Sequence, residues 1–214
     1  MKLELLLSLA VVLLSFIMAL YLYFQSWVPG QMASHWGING DVNGYLPKFW
    51  GLFLLPIIAA GCLGVFALIP RIDPLKKNVH EFAKYFDRFI LIFILFLLYL
   101  YILTILWAMG NRFNMVQLMA PGFGALIFYA GILVSHAKRN WFIGIRTPWT
   151  MSSEIVWDKT HKLGGKLFKT AGLLAFVGAV IPEDAIYFVL IPILAAAIVS
   201  VVYSYFEYKK QEKK

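Results

Sequence analysis

Long apolar runs separated by short polar segments make up most of the chain. Five runs reach the roughly 20 residues that a helix needs to cross a hydrocarbon core of about 30 Å. They cover 3–24, 50–69, 89–109, 115–135 and 185–206. A sixth run, 167–181, is short and carries Lys169 near its start. Two readings compete for it. It is a re-entrant segment, or it is the upper part of a longer helix starting near Gly164, with Lys166 and Lys169 snorkelling to the interface. The second is preferred, because the charge topology then closes. The first run is too long for the apolar core of a signal peptide, and no small-residue cleavage site follows it, so it is read as a span. The pattern predicts an all-α integral membrane protein with a six-helix transmembrane bundle. Its parts are a first helix hairpin over 1–70, a central one over 71–135 and a last one over 136–214. Pro56, Pro121 and Pro192 fall inside spans, where neighbouring helices can re-satisfy the freed carbonyls.

Charge then orients the bundle. Of the 19 Lys and Arg residues, all but Lys48 and Arg112 fall in the first residues, 70–88, 136–166 with the adjoining Lys169, or 207–214. Cytoplasmic segments carry such an excess, so both termini are placed in the cytoplasm of a multi-pass cell-membrane (plasma-membrane) protein. The acidic turn Pro182-Glu183-Asp184 on the other side is compatible. Tyr21, Tyr23, Trp27, Trp50, Trp107, Tyr203, Tyr205 and Tyr208 lie near span ends, as in an interfacial aromatic belt. Composition agrees: 61% of residues are hydrophobic and 14% charged, against roughly 45–50% and 25% in soluble domains. The lipid bilayer is therefore the first partner. The net charge of +8 is spread beside apolar runs and forms no basic helix face, so no direct nucleic-acid partner is expected.

Candidate chemistry is sparse. Cys62 stands alone, which excludes an intrachain disulfide and a thiolate metal cluster. Among ionisable groups in the spans, Glu4 and Lys169 lie near ends, against the buried carboxylate of a proton-coupled transporter. Ser8, Ser15, Thr104 and Ser200 can bond carbonyls one turn back. No nucleophile elbow, H-E-x-x-H or phosphate-loop motif occurs. No catalytic residue, cofactor or metal site is therefore assigned, and the chain is read as a non-enzyme. A zinc site would need His136 and His161 to converge with Glu154 or Asp158.

Two loops concentrate residues of unusual type. The outer one, 27–48, holds His35, Trp36, Asn39, Asp41, Asn43 and Lys48. Asn39-Gly40 and Asn43-Gly44 suggest two tight reversals, hence a compact structured extracellular loop. It is either a lid whose polar groups satisfy one another or a surface that meets an extracellular ligand. The inner one, 140–165, has Thr147-Pro148, which forces an extended bend. Ser152 or Ser153 then caps a cytoplasmic amphipathic helix with Glu154 in its first turn. Trp157, His161 and Gly164 share one face of it. That helix is an interfacial element, a docking surface built around Arg146, Trp149, Trp157 and His161, or both.

The inner residues Asn140, Gly144, Arg146, Thr147, Pro148, Trp149 and Thr150, followed by Trp157 and His161, resemble the signature of the SdpI family, N-x-x-x-G-x-R-T-P-W-T and then W-x-x-x-H. The outer loop resembles the conserved domain of unknown function that often precedes it, through His35, Trp36, Asn39, Gly40 and Lys48. It departs from that pattern with Gly37 for asparagine and Asn43 for aspartate. The motifs are clear over 27–60 and 136–172. The resemblance implies a membrane immunity protein and signal receptor that gives resistance to a secreted peptide toxin. It implies two partners, an extracellular peptide toxin and a cytoplasmic repressor. The outer loop would bind the ligand, and the inner loop would dock the partner. Two other classes remain as alternatives: a membrane-embedded enzyme or metal-dependent catalyst at the cytoplasmic face, and a small-solute transporter or channel.

Overall fold

A computed structural model describes residues 3–212. Lys2, Lys213 and Lys214, which enter the charge pattern, lie outside the described residues. Eight helices and one β-hairpin follow in order: α1 (Leu3–Tyr23), β1 (Gln31–Trp36), β2 (Val42–Pro47), α2 (Lys48–Ile72), α3 (Lys76–Glu81), α4 (Ala83–Ala108), α5 (Met115–His136), α6 (Pro148–Ser152), α7 (Glu154–Val177) and α8 (Ala185–Glu212). Among the described residues, α1, α2, α4, α5 and α8 are long and apolar enough to cross a membrane.

The sixth run is the upper part of a longer helix, as preferred, and differs in where that helix starts. The predicted cytoplasmic helix and the short apolar run are one continuous helix, α7, which starts ten residues earlier than the sequence suggested. Ser153 caps it, its hydroxyl accepting from the Val156 N–H at 3.3 Å. Gly164 and Gly165 do not break it, because both are pressed against neighbours. A Cβ on Gly164 would lie 2.3 Å from Ile145 Cδ1, and one on Gly165 would lie 1.9 Å from Ser135 Oγ. With 24 residues, α7 is roughly 36 Å long and runs from one end of the bundle to the other. Lys159, Lys162, Lys166 and Lys169 keep it out of the set that qualifies by composition, so five candidate spans qualify and the six-helix count turns on α7.

Within this mostly helical chain the outer loop is a β-hairpin. Strands β1 and β2 pair antiparallel from Gln31↔Pro47 to Trp36↔Val42, with a bulge around His35. Asn39-Gly40 makes the one reversal, Gly40 taking φ +84°. Asn43-Gly44 is not a second turn but part of β2. Gly44 sits opposite His35, and a Cβ there would come 2.9 Å from the His35 Cβ. The glycine is needed for cross-strand approach rather than for a bend.

Two sub-bundles share the core. Helices α5, α7 and α8 pack closely, and α1, α2 and α4 form the other group, with α4 also lying on α5. The α5–α7 contact is backbone to backbone. A Cβ on Gly131 would lie 2.6 Å from Lys169 N, and one on Gly172 would lie 2.4 Å from Phe128 N. Small residues let helices in lipid gain dispersion energy that the absent hydrophobic effect cannot supply. Ser8, Ser15, Thr104 and Ser200 bond carbonyls three or four residues back, at 2.6–2.8 Å. At one end, Ile143 and Trp157 join Phe82, Phe86 and Val79 in one apolar cluster that ties the sub-bundles together. That end holds nearly all the lysines and arginines and is called the basic end. The other is the hairpin end.

Candidate functional site

At the hairpin end a cavity of ≈ 660 Å³ opens beneath the strands. Ser34, His35 and Trp36 form its roof, Trp50 and Leu54 of α2 one wall, and Leu190 and Ile193 of α8 the other. Thr104, Met119 and Phe123 lie between them. The size falls within the roughly 300–1,000 Å³ of small-molecule sites, and the lining is mostly apolar.

The outer-loop residues divide. His35 and Asn43 are exposed and bonded to each other, His35 Nδ1 to Asn43 Oδ1. Trp36 meets Trp107 edge to face at 6.0 Å. Asn39 and Asp41 stay at the exposed tip, where the Gly37 N–H donates to the Asp41 carbonyl at 2.8 Å. Lys48 faces elsewhere. Its Nζ donates to the Gln25 carbonyl at 2.7 Å and lies 5.8 Å from the Tyr23 ring centroid, tying the hairpin to the end of α1. Of the six, His35 and Trp36 border the cavity. The sequence did not reveal Met119, Phe123 or Leu190, since an apolar residue in a span carries no sign of whether it faces lipid, core or void.

At the basic end most signature residues are buried and saturated with hydrogen bonds. Asn140 is fully buried. Its Nδ2 donates to the Lys138 and Ile143 carbonyls at 2.8 Å each, and its Oδ1 accepts from the Phe142 and Ile143 N–H groups. One side chain thus shapes the whole loop. Asp73 holds it from outside, Oδ2 accepting from the Trp141 N–H at 2.9 Å. Gly144 takes φ +115° and lies against His161, where a Cβ would come 2.4 Å from Nε2.

His161 is a latch. Its Nε2 accepts from the Ile145 N–H at 3.0 Å, and its Nδ1 donates to the Trp157 carbonyl at 2.8 Å. That pattern requires the neutral Nδ1–H tautomer. Burial lowers its pKa to about 4. Trp157 stacks on it at 3.8 Å and donates from Nε1 to the Ala137 carbonyl. Thr147 and Thr150 form a capping box on α6, with Pro148 at the first helical position, and Thr147 Oγ1 reaches Ser204 of α8 at 3.0 Å.

Buried Trp157 and His161 cannot touch a docking partner in this arrangement. Arg146 is exposed, with Nη1 donating to the Trp141 carbonyl. Trp149 is half-buried against Tyr205, and Trp141 and Phe142 are exposed beside Arg146. His136 does not converge with His161. It stacks on Tyr85 at 3.7 Å, and Glu154 pairs with Arg139 at 3.2 Å. Among the described residues no three His, Cys, Asp or Glu side chains come together as a metal site.

Residues 136–204 match the SdpI/YfhL protein family. The resemblance drawn from the inner-loop residues is thereby borne out. The SdpI segment takes in that loop, α6, α7 and most of α8. Residues 10–60 match a domain of unknown function, DUF1648, which takes in most of α1, the hairpin and the first half of α2. The chain is 26% identical over 204 residues to the Immunity protein SdpI of Bacillus subtilis (strain 168), covering 95% of each chain. No solved structure matches. The DUF1648 and SdpI segments lie in opposite sub-bundles, and each supplies one wall of the cavity.

Proposed function

We propose that this chain is a membrane immunity protein of the SdpI type, which protects its cell from a secreted peptide toxin met at the hairpin end. The observation that carries the reading is the likeness to an immunity protein along 95% of both chains. It extends through both motif-bearing loops and the helices between them. The structure adds support, because an apolar cavity of ≈ 660 Å³ under an exposed hairpin suits an amphipathic peptide better than a polar solute.

In this reading both termini are cytoplasmic and α7 completes a sixth crossing, with Lys166 and Lys169 reaching back to the interface. Arg146 and Trp149, with the neighbouring Trp141 and Phe142, form the face offered to a cytoplasmic regulator. An external ligand moves that face only by binding two arrangements unequally. Expression in a toxin-sensitive bacterium tests the function. Cells carrying the chain should survive a secreted peptide encoded beside its gene. Killing unchanged for every such peptide would end the immunity reading.

A further inference from the structure

We infer that the hairpin-end cavity takes its ligand sideways from the lipid leaflet, between α2 and α8, and that the ligand is an apolar peptide segment. The peptide identity rests on the immunity reading, while the route does not. Two observations carry it.

The roof is fastened on both sides. Met32 of β1 packs so closely on α2 that a Cβ on Gly51 would lie 2.7 Å from its Cβ. At the tip, a Cβ on Gly40 would lie 2.8 Å from the Asn114 side chain, which caps α5. A hairpin held to α2 at one edge and to α5 at the other closes the cavity towards water.

The side is not fastened. Helix α2 packs on α1 and α4, and α8 packs on α7 and α5, with no substantial contact between α2 and α8. Trp50 and Leu190 on the two flanking helices are each 47% exposed. Both helices are long and apolar enough to cross a membrane, so the gap between them opens to lipid and an apolar molecule enters without crossing water.

Accessibility of a cysteine in the cavity tests this. The full chain, with Cys62→Ser and Thr104→Cys, is placed in phosphatidylcholine vesicles. A bilayer-partitioning N-alkyl maleimide should label Cys at 104 about tenfold faster than a charged, impermeant maleimide. Adding Leu190→Trp to narrow the gap should slow the alkyl reagent about tenfold while the thermal melt is unchanged. A synthetic leucine-alanine peptide of about 20 residues should protect the thiol, and an equal mole fraction of lysophosphatidylcholine should not. Faster labelling by the charged reagent, or none by either, overturns the lateral route. Equal protection by the lysolipid overturns the peptide assignment. Labelling as expected in a chain that leaves cells sensitive refutes only the immunity reading. Resistant cells with water-side labelling refute only this inference.

Discussion

Asn140 uses both ends of its amide on backbone groups within three residues of itself, and no water reaches it. Asn140→Ala should therefore strand several buried donors and acceptors at about 1–3 kcal/mol each. Loss of the thermal transition in detergent, or a large downward shift, is the expected result, and an unchanged melt would show that the loop holds itself. His161 makes a pH prediction. It lies in the first half of α7, beyond the end of α5, and is held neutral. Between its ordinary value of 6.5 and its folded value of about 4, the unfolded chain binds a proton that the fold refuses. Stability is thus complete above pH 6.5 and falls as the pH drops towards 4. The loss is on the order of 3 kcal/mol. Melting curves over that window should show the slope in the parent and a flatter profile in His161→Gln. At this scale the sequence was partly legible. Helix spacing put Trp157, His161 and Gly164 on one face, and the inner signature added Gly144. That they form a buried latch rather than an exposed face depends on Ile145 and Ala137 lying over them, which no spacing reveals.

Between elements, the α5–α7 contact is the tightest in the molecule, and its glycines set it. Gly172→Leu would drive a side chain into the Phe128 backbone, which cannot move without shifting the helix. A loss above about 3 kcal/mol is expected, seen as failure to recover folded protein from membranes. Gly61 in α2 has nothing within 4 Å of its would-be Cβ. Gly61→Ala should be neutral or slightly stabilising, since alanine is the better helix former by up to about 1 kcal/mol. Recovery of the two variants side by side separates close packing from helix propensity. The apolar runs predicted α1, α2, α4, α5 and α8 to within a few residues at most ends. They left open where α7 starts and how the outer loop folds. In α7 the lysines and paired glycines looked like a boundary, yet they lie within a helix whose stability comes from the facing surface of α5. In the hairpin, Asn43-Gly44 has the composition of a turn, and only the approach of His35 shows why that glycine belongs to a strand.

For the whole molecule, charge asymmetry makes the most direct prediction. Single cysteines replacing Lys48 and Arg146, in a Cys62→Ser background, should react with an impermeant reagent from opposite sides of the membrane. Reaction from the same side would remove the basis for any outside-to-inside signal. By itself the sequence determined the solvent of this protein, five of its helices and the sorting of its charges, because lipid demands about 20 unbroken apolar residues and strands basic side chains outside. Tertiary structure alone decided which of those apolar residues surround a cavity, which polar ones are locked inside a loop, and which face remains free. The reason is physical: a leucine against lipid, against a helix or beside a void has the same hydrophobicity, and only the position of its neighbours tells them apart.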